Sequence, residues 1–140
     1  DEGAQLVAGG TGRADGFDRG YYVKPTVFAG VHNKMRIAQE EVFGPVLVLI
    51  PFKDEADAVA IANDSPYGLT HYVQSQDGAR RNRMARALKA GMVQMNGKSR
   101  AAGSPFGGVK SSGRAREGGV WGLEEFLEVK AVSAWDPSQD

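Results

Sequence analysis

Two adjacent carboxylates, Glu40 and Glu41, stand just before an aromatic ring, Phe43, at the start of the apolar run Val46-Leu47-Val48-Leu49-Ile50. Gly44-Pro45 lies between ring and run. A strand-start corner needs the Gly-Pro, because Gly relaxes φ and Pro cannot continue a helix. It needs neither the acids nor the ring. An ionised carboxylate accepts hydrogen bonds through two oxygens, and a flat apolar ring packs flat partners. Taken alone, Glu41 also reads as a helix-end acid and Phe43 as a core plug.

Other chemistry-bearing residues are sparse. His32 and His71 have no ligand-spaced partners, which argues against a metal site. Gly10 and Gly12 begin a dinucleotide-type glycine pattern, but Asp15 stands at its third glycine and no helix pattern follows, so Gly9–Gly20 reads as a surface loop. The cluster Arg80–Arg86 spreads over a solvated helix face without interleaved aromatics, and nucleic-acid binding is not expected. The 17 basic and 17 acidic residues balance, which argues against nucleic acid or an anionic membrane as the main partner. The absence of cysteine excludes disulfides, zinc-thiolate sites and thiol nucleophiles from this chain. With no apolar leader and no long apolar run, a cytoplasmic setting is the default expectation.

The elements that must position these residues alternate. Strands are expected at Leu6–Ala8, Tyr21–Phe28, Val46–Pro51, Gly68–Ser75 and Met92–Asn96, with a final alternating strand within Glu128–Trp135. Pro25 marks an edge or bulge. The run from Val46 is apolar on both parities, as in a parallel sheet covered on both faces. Helices are expected at Asn33–Glu41, at Glu55–Ala62 capped by Asp54, after a cap at Asp77, and at Gly119–Phe126. Gly91 stands where a helix C′ residue belongs. The class is α/β with a largely parallel sheet and flanking helices. The abrupt start, a strand-like segment almost at residue 1, reads as a cut inside a larger fold.

Five motifs, in order, then point one way: "EEVFGPV" (Glu40–Val46), "ANDSPYGLT" (Ala62–Thr70), "AGMVQMN" (Ala90–Asn96), "SPFGGVKSSG" (Ser104–Gly113) and "REGGVWGLEEFLEVKAV" (Arg116–Val132). Their order and spacing resemble the C-terminal third of the NAD(P)-dependent aldehyde dehydrogenase superfamily. The resemblance implies that residues 1–125 are the closing part of a catalytic domain. It implies that residues 126–140 hold an oligomerisation strand and tail, which makes a homo-oligomer. In such enzymes the second Glu of the motif, here Glu41, holds the nicotinamide ribose of NAD or NADP, and the motif Phe, here Phe43, lies against the nicotinamide.

Phe106 matches an aromatic near the substrate tunnel, though it also reads as packing under the Gly107-Gly108 turn. Asn96 ends its strand near the chemistry, but bonding to loop backbone is the reading favoured for it. The pocket-shaping loop Gly97–Gly103 lacks bulky apolar residues and carries Lys98 and Arg100. These either point to solvent or hold an aldehyde that bears a carboxylate. Gln94 and Met95 depart from the aromatic or Val common at those positions. The family oxidises aldehydes to acids through a Cys nucleophile and a Glu base, both implied to lie upstream of this chain. The chain alone is therefore expected to be inactive. A different reading is a stand-alone truncated paralogue serving as a non-catalytic assembly module.

Overall fold

The computed structural model describes residues 2–139. They form two compact units, one running to Pro66 and one starting at Tyr67.

The first unit is built on a three-stranded sheet of order β1-β2-β3: β1 (Gln5–Ala8), β2 (Thr26–Ala29) and β3 (Val46–Val48). β1 pairs antiparallel with β2, with a register irregularity between Leu6 and Ala8. β2 pairs parallel with β3, Val27 opposite Leu47. Pro25 stands just before β2, where its missing N–H costs no ladder bond. The Gly9–Gly20 loop is closed at its base by Thr26, whose hydroxyl accepts from Gly10 N at 3.0 Å and donates to Lys24 O at 2.9 Å. Only glycine fits at position 9, where φ is +76° and a Cβ would lie 2.1 Å from Pro25 O.

The expected Asn33–Glu41 helix is a single turn, α1 (Arg36–Gln39), because Met35 offers no side-chain cap. Asn33 is spent elsewhere: its amide donates to the carbonyl and carboxylate of Asp64, both at 3.1 Å. Helix α2 (Glu55–Asn63) starts as its sequence dictates, with Asp54 accepting from Asp57 N at 2.9 Å.

In the second unit a strand–helix–strand run places β4 (Thr70–Val73) parallel to β5 (Met92–Met95), with α3 (Gly78–Ala87) between them in sequence. The Asp77 carboxylate caps α3 by accepting from Arg80 N at 3.1 Å, and that bond holds its pKa below the ordinary carboxylate value. Helix α4 (Gly119–Glu124) follows a 3-10 turn at Lys110–Ser112.

Two expectations need correction, and a third is not met among the described residues. The strands form two small sheets, one mixed and one parallel, rather than a single largely parallel sheet. Gly91 is not a helix C′ residue. It lacks a positive φ, and it is glycine because a Cβ there would sit 1.8 Å from Gly107 O. The segment Phe126–Trp135 is not a strand among the described residues. A strand needs a partner edge, and alternation alone supplies none.

Burial is thin. Val31, Val73 and Leu88 are the buried hydrophobics among the described residues. In β3, Val46 and Val48 are half-buried while Leu47 is 57% exposed, so one face is covered rather than two. The chain exposes 10852 Å², whereas two separate compact units of half its mass would together expose about 8,500 Å². Much apolar surface therefore has no cover within the chain. No helix among the described residues is long and apolar enough to cross a membrane.

Candidate functional site

Glu40 and Glu41 follow α1 directly and differ in what they touch. Glu40 is engaged: its Oε2 accepts from Arg36 Nε at 2.8 Å, one helical turn away. The same contact raises the Arg36 pKa above its ordinary value. Arg36 N in turn donates to Glu2 Oε2 at 2.8 Å. The Glu41 carboxylate has no hydrogen-bond or ion-pair partner among the described residues. It lines a groove of about 320 Å³ with Glu2, Arg36, Ile37, Glu40 and Val42. Of the adjacent acids, one balances a cation and the other keeps both oxygens open.

Phe43 is 92% exposed and does not plug the core of this chain. Its φ is +54°, in the left-handed region. A non-glycine residue there costs about 1–2 kcal/mol, and strain of this kind concentrates at functional sites. The cause is local: the corner that Gly44-Pro45 completes turns the ring outward.

In the second unit, Lys98 and Arg100 lie beside β5, and Phe106 stands against Arg100. Lys98 and Arg100 line a groove of about 390 Å³ along Gly91–Met95, together with Ser104 and Pro105. Arg100 Nη1 donates to Ser104 O at 2.7 Å, and its guanidinium carbon stands 5.7 Å from the centre of the Phe106 ring. That is cation–π distance. Phe106 is 38% exposed, and its backbone exchanges bonds with Glu117 at 2.8 and 2.7 Å.

The Ser104–Gly113 segment is fastened by glycines that reading of the sequence assigned to turns or left aside. Gly68 O accepts from Gly91 N at 3.0 Å and from Val109 N at 2.9 Å, and Gly68 N donates to Ser112 Oγ at 3.1 Å. A Cβ on Gly68 or Gly107 would meet backbone oxygens at 2.9 and 2.2 Å. Arg116 completes the clamp, its Nη1 donating to Gly108 O at 2.7 Å and Arg114 O at 2.9 Å. Gly68 was findable as a Gly just before a strand, as Gly91 is before β5. Arg116 opens the fifth motif, but nothing in the sequence marked it as a clamp on this segment.

Asn96 bonds backbone, as the simpler reading had it. Its amide accepts from Ser75 N at 2.9 Å and donates to Ser75 O at 3.0 Å, imitating one more rung of the β4–β5 ladder. It does so at φ +50°, which Asn tolerates. His71 lies on β4 with Nε2 buried and unpartnered among the described residues. Burial, helped by the Lys110 charge, lowers its pKa, so the ring is neutral at neutral pH. Among the described residues no three His, Cys, Asp or Glu side chains are grouped as a metal would require.

Comparison with known proteins gives these features a family. Residues 1–132 match the profile described as "Aldehyde dehydrogenase family". The chain is 50% identical over 98% of its length to 3-succinoylsemialdehyde-pyridine dehydrogenase of a Pseudomonas species, of which it covers 29%. An aldehyde dehydrogenase from Bartonella henselae superposes with a TM-score of 0.91 at 60% identity, covering 96% of this chain and 28% of that one. A mutant of aldehyde dehydrogenase C from Pseudomonas syringae, solved with NAD+ and octanal, gives 0.93 at 51% identity, covering 97% and 28%. The chain thus spans less than a third of each of these relatives, and it belongs to the aldehyde dehydrogenase family.

Proposed function

We propose that this chain is part of a longer NAD(P)-dependent aldehyde dehydrogenase, with residues 1–125 closing the catalytic domain and residues 126–140 supplying an oligomerisation strand and tail. The observation that carries the reading is the Glu41 carboxylate. It stands unengaged beside a Glu40 that Arg36 occupies.

The residues present fit such a cofactor. Two carboxylate oxygens suit the two vicinal hydroxyls of the nicotinamide ribose. The outward ring of Phe43 suits the flat face of a nicotinamide. When bound, the nicotinamide supplies the hydride acceptor. Glu41 would hold the ribose hydroxyls, and Phe43 would pack against the nicotinamide. Phe106, whose ring stands 5.7 Å from the Arg100 guanidinium carbon, is assigned to the side of the aldehyde path. The nucleophilic Cys and the base that completes hydrolysis belong to the rest of the protein. The NAD+ complex of the Pseudomonas syringae relative supports the choice of cofactor.

The test is the reading frame and its product. Upstream coding sequence should continue in frame to a Cys-bearing segment, and the longer protein should reduce NAD or NADP when given aldehydes. A frame that stops without such a segment, or a long product without turnover, rejects this reading.

Assembly belongs to the same proposal. Phe126 is 88% exposed, and the parity of Leu127, Val129, Ala131, Ser133 and Trp135 is largely apolar. Such a segment gains by adding to the sheet of a neighbouring subunit. The isolated chain should therefore self-associate at micromolar concentration in light scattering, and truncation after Glu125 should reduce the mass. A monodisperse monomer both with and without the segment contradicts this and favours an autonomous module.

A further inference from the structure

We propose that the groove beside β5 selects aldehydes that carry a carboxylate at the end remote from the aldehyde, with Arg100 as the residue that holds it. The inference rests on the aldehyde dehydrogenase reading above and names the substrate class of that site.

Three observations support it. First, the groove is electrostatically one-sided. Lys98 and Arg100 line it, and no Asp or Glu does. Neither cation has an acidic partner among the described residues. A concave surface with two cations and no counter-charge attracts an anion.

Second, Arg100 is held in place. Its Nη1 donates to Ser104 O at 2.7 Å and its guanidinium carbon stands over the Phe106 ring, 5.7 Å from the centre. One donated bond out of five N–H groups leaves most of the fork available, and that fork matches a carboxylate in a bidentate pair. An arginine already restrained by a carbonyl and a ring loses little freedom on binding, unlike a solvated one.

Third, the rest of the groove suits a short chain of methylenes. Met92, Val93, Met95 and Pro105 give it apolar wall, and the side chains of Ser99 and Ala101 are too small to block it.

The chemistry balances. Aldehyde and one water become a carboxylic acid, the hydride goes to the nicotinamide, and one proton is released to solvent. The remote carboxylate is unchanged and acts only as a handle.

The experiment uses the longer enzyme with succinic semialdehyde and butanal, which have equal chain length and differ in the terminal carboxylate. The wild type should show kcat/KM for the semialdehyde about ten- to a hundredfold above that for butanal, the range of a charge-assisted pair. The ratio should fall as salt is raised. Arg100→Ala should bring it near unity, and a far-UV circular dichroism spectrum and melting temperature like those of the wild type report that the variant is folded. Arg100→Gln retains a donor for Ser104 O without the charge and should behave the same way, covering the case in which the alanine variant is unstable. Lys98→Ala should lower the ratio less.

A wild-type ratio near one, or a ratio unchanged by both Arg100 variants, overturns the inference while active oxidation of butanal leaves the enzyme reading standing. Failure of the wild type to oxidise either aldehyde removes both.

Discussion

The 140-residue chain, purified and supplied with NAD or NADP and a range of aldehydes, yields no reduced cofactor above a protein-free blank. The reason is composition. Covalent aldehyde oxidation of the kind proposed passes through a thiolate adduct, and this chain has no cysteine. Serine and threonine hydroxyls are far weaker nucleophiles without an activating base. His71, the neutral buried imidazole, lies on a strand with its Nε2 unpartnered among the described residues. Losing the nucleophile of a triad enzyme costs on the order of a millionfold in turnover, so the expected signal is none. Aldehyde-dependent turnover that survives repurification and follows this chain through fractionation would move the chemistry into these residues.

Glu41→Gln in the longer enzyme slows hydride transfer while leaving the cofactor nearly as tightly bound. Glutamine keeps one acceptor oxygen and loses both the charge and the second acceptor. One charge-assisted contact contributes roughly 1.5–3 kcal/mol, about ten- to a hundredfold in rate if it is fully expressed in the transition state. Overall affinity changes less, because other parts of a dinucleotide are gripped by other residues. The neighbour provides the control. Glu40→Gln removes an exposed ion pair with Arg36, the kind that adds little stability, and should leave hydride transfer alone. Two adjacent acids with opposite outcomes cannot be explained by a general loss of negative charge.

Local chemistry was legible where it depends on neighbours in sequence. The caps at Asp54 and Asp77 formed as their positions dictate, because a cap needs only the two or three residues after it. The five motifs sufficed for the family, since side-chain order survives without knowledge of the fold. What escaped depends on distant contacts. Gly91 looks like a helix terminator in sequence, but its reason is Gly107, which the linear chain places 16 residues away. The alternation in Phe126–Trp135 is real, yet pairing requires an edge that the described residues do not supply. Val46–Ile50 announced cover on two faces and finds it on one.

The candidate site divides in the same way. That an acid pair precedes Phe43 was plain in the sequence. Which acid is spent on Arg36 and which stays open required the turn that brings Arg36 to Glu40. The outward presentation of Phe43 follows from a φ of +54°, which residue type does not announce. The cation–π contact of Arg100 with Phe106 joins two loop positions whose spacing follows no regular period.

The central claim is that Glu41 positions the nicotinamide end of a dinucleotide, and rapid mixing under single-turnover conditions tests it most directly. Wild type, Glu40→Gln and Glu41→Gln forms of the longer enzyme are loaded with NAD and mixed with excess aldehyde, and reduced cofactor is followed through the first turnover. NAD titrations are run in parallel. The expected result is a hydride-transfer rate lowered about ten- to a hundredfold in Glu41→Gln alone, with similar NAD affinity in all three. Equal first-turnover rates in Glu41→Gln and wild type would contradict the account and return Glu41 to the role of an acid at a helix end.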